Sequence, residues 1–100
     1  MSAQRQRAVA EMGSRPVLPA YVRLRRDEVR GRWVALAPER VVELDERSLD
    51  ILKLCDGSRS IAELAGELAK SYDAPEAAIA EDVLAFIQEW SDKLLVRLET

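Results

Sequence analysis

RWVALAPERVVELD, residues 32–45, is the stretch on which the fold turns. Residues 32–37 alternate, with Val34 and Leu36 opposite Trp33 and Ala35, and a period of two is the mark of a strand. Pro38 ends it, because proline brings no amide hydrogen to a ladder. Residues 40–44 alternate again, Val42 and Leu44 on one face and Val41 on the other. Asp45 then offers the carboxylate acceptor that opens a helix. Strands therefore come first and helices follow.

Upstream, residues 20–26 form a further half-buried strand. Val22 and Leu24 point one way, and Tyr21, Arg23 and Arg25 the other. Residues 27–31 are polar and end in Gly31, which suits a hairpin loop. Pro16 and Pro19 predict an extended lead-in rather than a helix. Residues 1–14 are polar and lack both periodicity and caps, so a disordered arm is expected over residues 1–15, ahead of a domain over 16–100. Met12 is a second candidate start.

Downstream, a helix from Asp45 to about residue 56 carries Leu49, Ile51, Leu52, Leu54 and Cys55, with Gly57 as its left-handed terminator. Ser60 and Glu63 form a capping box for a second helix with the stripe Ile61, Leu64, Ala65, Leu68, Tyr72. Asp73 is expected to cap a third, with Pro75 and Glu76 in its first turn and the stripe Ile79, Val83, Phe86, Ile87, Trp90. Residues 94–98 read as a short closing strand or extended tail. The order is that of an α+β protein: a small winged-helix-like domain, with a three-stranded antiparallel sheet followed by three helices.

Composition narrows the chemistry. The chain has 100 residues and no histidine, which removes the commonest general base and metal ligand together. Its one cysteine, Cys55, has no partner for an internal disulfide and sits at an apolar helical position without a neighbouring base. The carboxylates fall in caps and on helix faces, where nothing apolar shifts a pKa. Catalysis, cofactor and metal are therefore not expected. No apolar run approaches the ~20 residues of a membrane span, and no apolar segment follows Arg5 and Arg7 to make a secretory signal. Cytoplasmic location, without a membrane partner, is the expectation.

The helix-turn-helix arrangement raises the alternative of a winged-helix nucleic-acid-binding protein. The net charge of −3 divides into +5 over residues 1–32 (eight Arg; Glu11, Asp27, Glu28) and −8 over residues 33–100 (seven basic, fifteen acidic). The third helix, which would enter the groove, carries Asp73, Glu76, Glu81, Asp82, Glu89 and Asp92 against Lys93 alone. Phosphates would repel it, so no nucleic-acid partner is expected. Residues 40–44 offer a different interaction, since a short strand at a sheet edge exposes main-chain groups to which an extended peptide can add itself. An ordinary edge, blunted by Arg40 and Glu43, fits the same residues equally well.

Four segments go further: Val34-Ala35-Leu36-Ala37-Pro38-Glu39-Arg40, Leu44-Asp45-Glu46, Leu54-Cys55-Asp56-Gly57 and Ser60-Ile61-Ala62-Glu63-Leu64. With Tyr72 and Asp82-Val83-Leu84 behind them, their order and spacing resemble the PqqD family of pyrroloquinoline quinone biosynthesis, over residues 16–98. The resemblance implies a RiPP recognition element, a non-catalytic peptide chaperone. Such a protein binds a PqqA-like precursor by strand addition and presents it to a PqqE-like radical SAM enzyme. Carried onto this chain, the peptide would lie along Arg40, Val41, Val42, Glu43 and Leu44. It would run beside a helix flank whose residues follow from i, i+4, i+7 spacing: Asp82, Phe86 and Glu89. A monomer or weak homodimer is implied. One departure is Leu94, where the family usually has Gly after the last helix; it is expected to lengthen the helix instead of ending it.

Overall fold

The chain's computed structural model describes residues 8–99. Eight elements follow in order: β1 (Arg15–Val17), β2 (Arg23–Asp27), β3 (Arg32–Ala37), β4 (Arg40–Leu44), α1 (Glu46–Lys53), α2 (Ile61–Ala69), α3 (Glu76–Asp92) and β5 (Arg97–Glu99). β2, β3 and β4 make an antiparallel three-stranded sheet in that order, and β1 pairs with β5 in a separate sheet. The expected α+β architecture and its three-stranded sheet are present. The second sheet is an addition, with Pro16 opposite Leu98.

Turn chemistry sets the main sheet. Asp27 Oδ1 accepts from the amides of Val29 and Arg30, its carbonyl accepts from Gly31, and Gly31 takes a φ of 67°. Between β3 and β4, Ala37 pairs directly with Arg40 across Pro38 and Glu39. Proline followed by a residue with φ of 58° is the combination of a type II turn. One face of the sheet, with Leu24, Trp33, Ala35, Val42 and Leu44, packs on the helices. Val41 and Glu43 face the other way and are exposed.

The helical stripes fall where the periodicity predicts. Ile61, Leu64 and Ala65 of α2 and Ile87 of α3 are completely buried, and Ile79, Val83 and Trp90 join them in one cluster. Each large apolar side chain so buried contributes ~1.5–3 kcal/mol of transfer free energy. Both bonds of the Ser60–Glu63 capping box form, and Asp45 accepts from the Ser48 amide at 2.7 Å.

Several boundaries differ from the sequence reading: β2 begins at Arg23 rather than residue 20, α2 ends at Ala69 short of Tyr72, and the closing strand is Arg97–Glu99. α1 stops at Lys53, because Leu54 and Cys55 bond back only three residues and Asp56 bridges to Val17. Gly57 is left-handed (φ 84°), but as part of that bridge; a Cβ there would lie 2.9 Å from Val17 Cγ2. α3 is capped by extended Pro75, not Asp73, since the residue before a proline is kept out of helical geometry. Leu94 does not lengthen α3. It adopts a φ of 64°, its amide bonds Ser91 O, and Leu95 bonds Trp90 O, both at 2.9 Å. That is a Schellman motif with leucine in the place of glycine, closed by the buried pair Trp90 and Leu95.

Of the segment read as a disordered arm, residues 1–7 lie outside the described residues, whereas residues 8–15 carry specific contacts. The Gln88 side-chain amide donates to Ala8 O and accepts from Ala10 N, each at 2.8 Å. Met12 O and Ser14 O accept from the amides of Ala62 and Ile61, two of the otherwise orphaned donors at the start of α2. Ala10 and Ser14 are buried.

Two outcomes follow from these termini. Deleting residues 1–12 removes the Gln88 clamp and one α2 partner; at ~1 kcal/mol per bond the loss is roughly 2–3 kcal/mol, or about a 10 °C fall in melting temperature. An unchanged melting curve would contradict the packing of this segment. Leu94→Gly relieves a left-handed strain of about 1 kcal/mol and is expected to raise the denaturant midpoint without altering the far-UV spectrum.

Candidate functional site

The outer edge of β4 is determined by parity. Ala37 and Arg40 flank a two-residue turn as a hydrogen-bonded pair, so the alternation of an antiparallel ladder makes Ala35/Val42 and Trp33/Leu44 bonded pairs as well. The N–H and C=O groups of Val41 and Glu43 then point away from β3. Among the described residues, no backbone bond from another segment occupies them. Val41 is 66% exposed, Val42 half-buried and Leu44 buried. Glu43 pairs with Arg32 at 2.9 Å and with Arg30 at 3.7 Å on the outward face.

α3 runs alongside, joined to this edge region at both ends. Arg40 Nη1 donates to Lys93 O at 3.2 Å, beyond the C-terminal end of α3. At the other end Arg47, in the first turn of α1, pairs with Asp82 at 3.3 Å. From Asp82 to Lys93, eleven rises of ~1.5 Å span about 16 Å, and the four rises of β4 at ~3.3 Å span about 13 Å. The start of β4 is thus tied to the end of α3 through Arg40, and the start of α1 to Asp82 of α3 through Arg47. The N-cap at Asp45 aims Arg47: its carboxylate is held below the ordinary range by the Ser48 amide and hydroxyl, with Arg47 adding a smaller effect.

Asp82, Phe86 and Glu89 occupy one flank of α3, as their spacing predicts. Asp82 and Glu89 are exposed and Phe86 is half-buried. Phe86 stacks on Trp90, with ring centroids 5.2 Å apart and planes 23° from parallel. Glu89 is bound to Lys93 at 3.0 Å. The flank thus presents an aromatic edge between two ion pairs whose charges are internally matched. The opposite flank holds Gln88 and the N-terminal segment. Neither Arg47 nor the Arg40–Lys93 tie was evident in the sequence, since both depend on how α1 and α3 converge.

The remaining chemical groups are held in structural roles. Cys55 is buried and its Sγ donates to Ile51 O at 3.2 Å; burial, with the charge of Asp56 adding to it, pushes the thiol up to about 12. Tyr72 donates to the Asp50 carboxylate, and this bond, with burial and the Asp50 charge behind it, pushes the phenol up to about 12. Among the described residues no three His, Cys, Asp or Glu side chains converge as metal ligands, and no helix is long and apolar enough to cross a membrane.

Comparison with known proteins finds relatives of both the sequence and the fold. The family model for coenzyme PQQ synthesis protein D (PqqD) matches residues 32–96. A PqqA binding protein of Rhodopseudomonas palustris (strain TIE-1) is 52% identical over 80 residues, covering 80% of this chain and 78% of the relative. The solution NMR structure of the PqqD truncation of Methylobacterium extorquens PqqCD, described as a functional, stand-alone RiPP recognition element, superposes with a TM-score of 0.75 at 38% identity. That match covers 91% of this chain and 96% of the other. The crystal structure of PqqD from Xanthomonas campestris gives a TM-score of 0.56 at 43% identity, covering 81% and 90%.

The environment of Cys55 makes its own prediction. In the native protein the thiol is expected to be inert to a disulfide reagent at pH 8 and to react only on unfolding. Cys55→Ala is expected to cost about 1 kcal/mol of stability and leave the fold intact. Labelling of the native state at the rate of a free thiol would contradict this burial.

Proposed function

The chain belongs to the PqqD family, and from that premise we propose that it is a non-catalytic, cytoplasmic chaperone that binds a PqqA-like precursor peptide as an added strand on β4 and presents it to a PqqE-like radical SAM enzyme in pyrroloquinoline quinone biosynthesis. The observation that carries the proposal is the free edge of β4, with Val41 and Glu43 directing main-chain groups outward beside the α3 flank of Asp82, Phe86 and Glu89. An extended peptide there gains main-chain bonds from the edge, and its side chains alternate between the helix flank and the outward sheet face. Relatives named PqqA binding protein support the choice of peptide. The inert Cys55 and the capped carboxylates support a binding role rather than a chemical one.

Docking on a preformed edge explains how so small a domain can serve as a handle. The main-chain ladder supplies affinity without reading sequence, and Phe86 supplies an apolar contact near the middle of the groove. The matched pairs Arg47–Asp82 and Glu89–Lys93 leave little unbalanced charge along the flank, so recognition there is weighted towards shape and apolar contact. Two of the five arginines of the β2–β3 hairpin, Arg30 and Arg32, are engaged by Asp27 and Glu43, and the acidic α3 opposes the nucleic-acid alternative.

Val41→Pro tests strand addition directly. It deletes a donor on the free side of β4 while leaving the β3 ladder its bonds, the position at which an edge strand tolerates proline. Calorimetric titration with a synthetic PqqA peptide is expected to show at least a tenfold loss of affinity, with a folded circular dichroism spectrum. Phe86→Ala is expected to weaken binding by about 2 kcal/mol, more than its effect on stability accounts for. Folded variants that both bind at the native affinity would overturn the site.

A further inference from the structure

We infer that the cleft between α1, the end of α2 and the start of α3 is a side-chain pocket for the same peptide, receiving one large apolar residue from beyond the stretch paired with β4. This rests on the strand-addition reading and adds a determinant of which peptides are accepted. The cleft has a volume of about 160 Å³. Ile51, Leu68, Ile79 and Val83 line it, with Arg47 and Asp82 among the residues at its mouth. The cleft opens to solvent at its mouth, so an apolar side chain entering it would remove this aliphatic surface from water. A cavity of roughly 150 Å³ lined by aliphatic and aromatic side chains is enough to admit benzene, which sets the scale at an aromatic or branched aliphatic side chain.

Two polar struts hold the space open. Arg47 and Asp82 bridge α1 to α3 at 3.3 Å. Tyr72 donates to Asp50 and so ties the turn after α2 back to α1. With its phenol pushed up to about 12, Tyr72 keeps that proton throughout the physiological range. Arg47 and Asp82 are also what join the cleft to the groove: they tie the start of α1 to α3 and belong to the lining of the cleft. Arg47 follows Leu44 by only three residues, so a peptide paired along β4 and running on past Leu44 would be directed towards this mouth. Arg47 and Asp82 satisfy each other, Asp73 is the third charged residue of the lining, and the remaining surface is mainly apolar, so a neutral apolar peptide residue suits the cleft best.

The experiment is an alanine scan of a synthetic PqqA peptide, titrated calorimetrically against the native chain and against Ala78→Phe. Ala78 is exposed and lines the cleft, so the added ring fills the space without replacing a core residue. In the native chain, truncating one apolar peptide residue outside the paired stretch is expected to weaken binding about 30-fold, the worth of a buried anchor of ~2 kcal/mol. Ala78→Phe is expected to bind the intact peptide about 30-fold more weakly, and the same peptide truncation should then cost nothing further. Ala74→Leu, from the loop before α3, serves as the second variant if Ala78→Phe fails to fold. Folded cleft variants with native affinity and the native scan profile overturn the pocket. If Val41→Pro abolishes binding while they stay silent, only the pocket fails. If Val41→Pro is also without effect, or the native chain does not bind the peptide, the strand-addition reading fails and the pocket with it.

Discussion

A two-residue turn allows a hairpin very little choice of register. Pro38 fixes the first central φ, Glu39 accepts a left-handed one, and Ala37 meets Arg40 directly. Everything along β4 follows by parity from that pairing. Val42 and Leu44 are sent to the core, Val41 and Glu43 to the outer face, and the main-chain groups of the latter two to the open edge. A slip of one residue would exchange the two faces, burying Glu43 and exposing Leu44. The cost of burying an unpaired carboxylate makes the observed register much the more stable. The open edge is therefore an outcome of the turn and the core, which together position its main-chain acceptors and donors.

α3 shows the same division of labour around its circumference. Its buried stripe of Ile79, Val83, Ile87 and Trp90 holds the domain together. On one side of that stripe the chain supplies its own partner, with the Gln88 amide bonded to Ala8 and Ala10 much as a neighbouring strand would be. On the other side Phe86 is half-buried at the margin of the core and stacked on Trp90. The N-terminal segment thus fills one flank and satisfies the start of α2, while the flank nearest β4 stays open. Both ends of that open side are pinned by arginines, one on a carbonyl and one on a carboxylate, which keeps strand and helix at a fixed separation.

Much of this was legible in the sequence because it depends on local periodicity. The alternation in residues 32–44 determined the central hairpin, and the apolar spacings of α2 and α3 picked out the residues that are now found buried. The Ser60–Glu63 box was readable because its two bonds are three residues apart. The rest depended on contacts across long separations. Pro16 in a strand opposite Leu98, Gln88 reaching Ala8, and Arg47 meeting Asp82 have no local signature. Asp73 looked like a cap by composition, yet the φ of Pro75 and its restriction on Ala74 carried the boundary two residues further. Leu94 was misread because left-handed geometry is ordinarily a glycine property, whereas here two Schellman bonds and the burial of Leu95 outweigh the steric cost. The β4 members of the candidate site were accessible from alternation and the α3 members from helical spacing; the arginine ties between them were not.

The parity of β4 also has a kinetic face. A backbone amide bonded within a ladder exchanges its hydrogen with solvent only when the ladder opens, whereas one directed at water exchanges readily in the closed state. Along five consecutive residues, Arg40, Val42 and Leu44 belong to the first class, and Val41 and Glu43 to the second. In deuterium oxide the strand would therefore label as an alternating pattern rather than as a block. The fast-exchanging positions trace, residue by residue, the main-chain groups that have no backbone partner among the described residues.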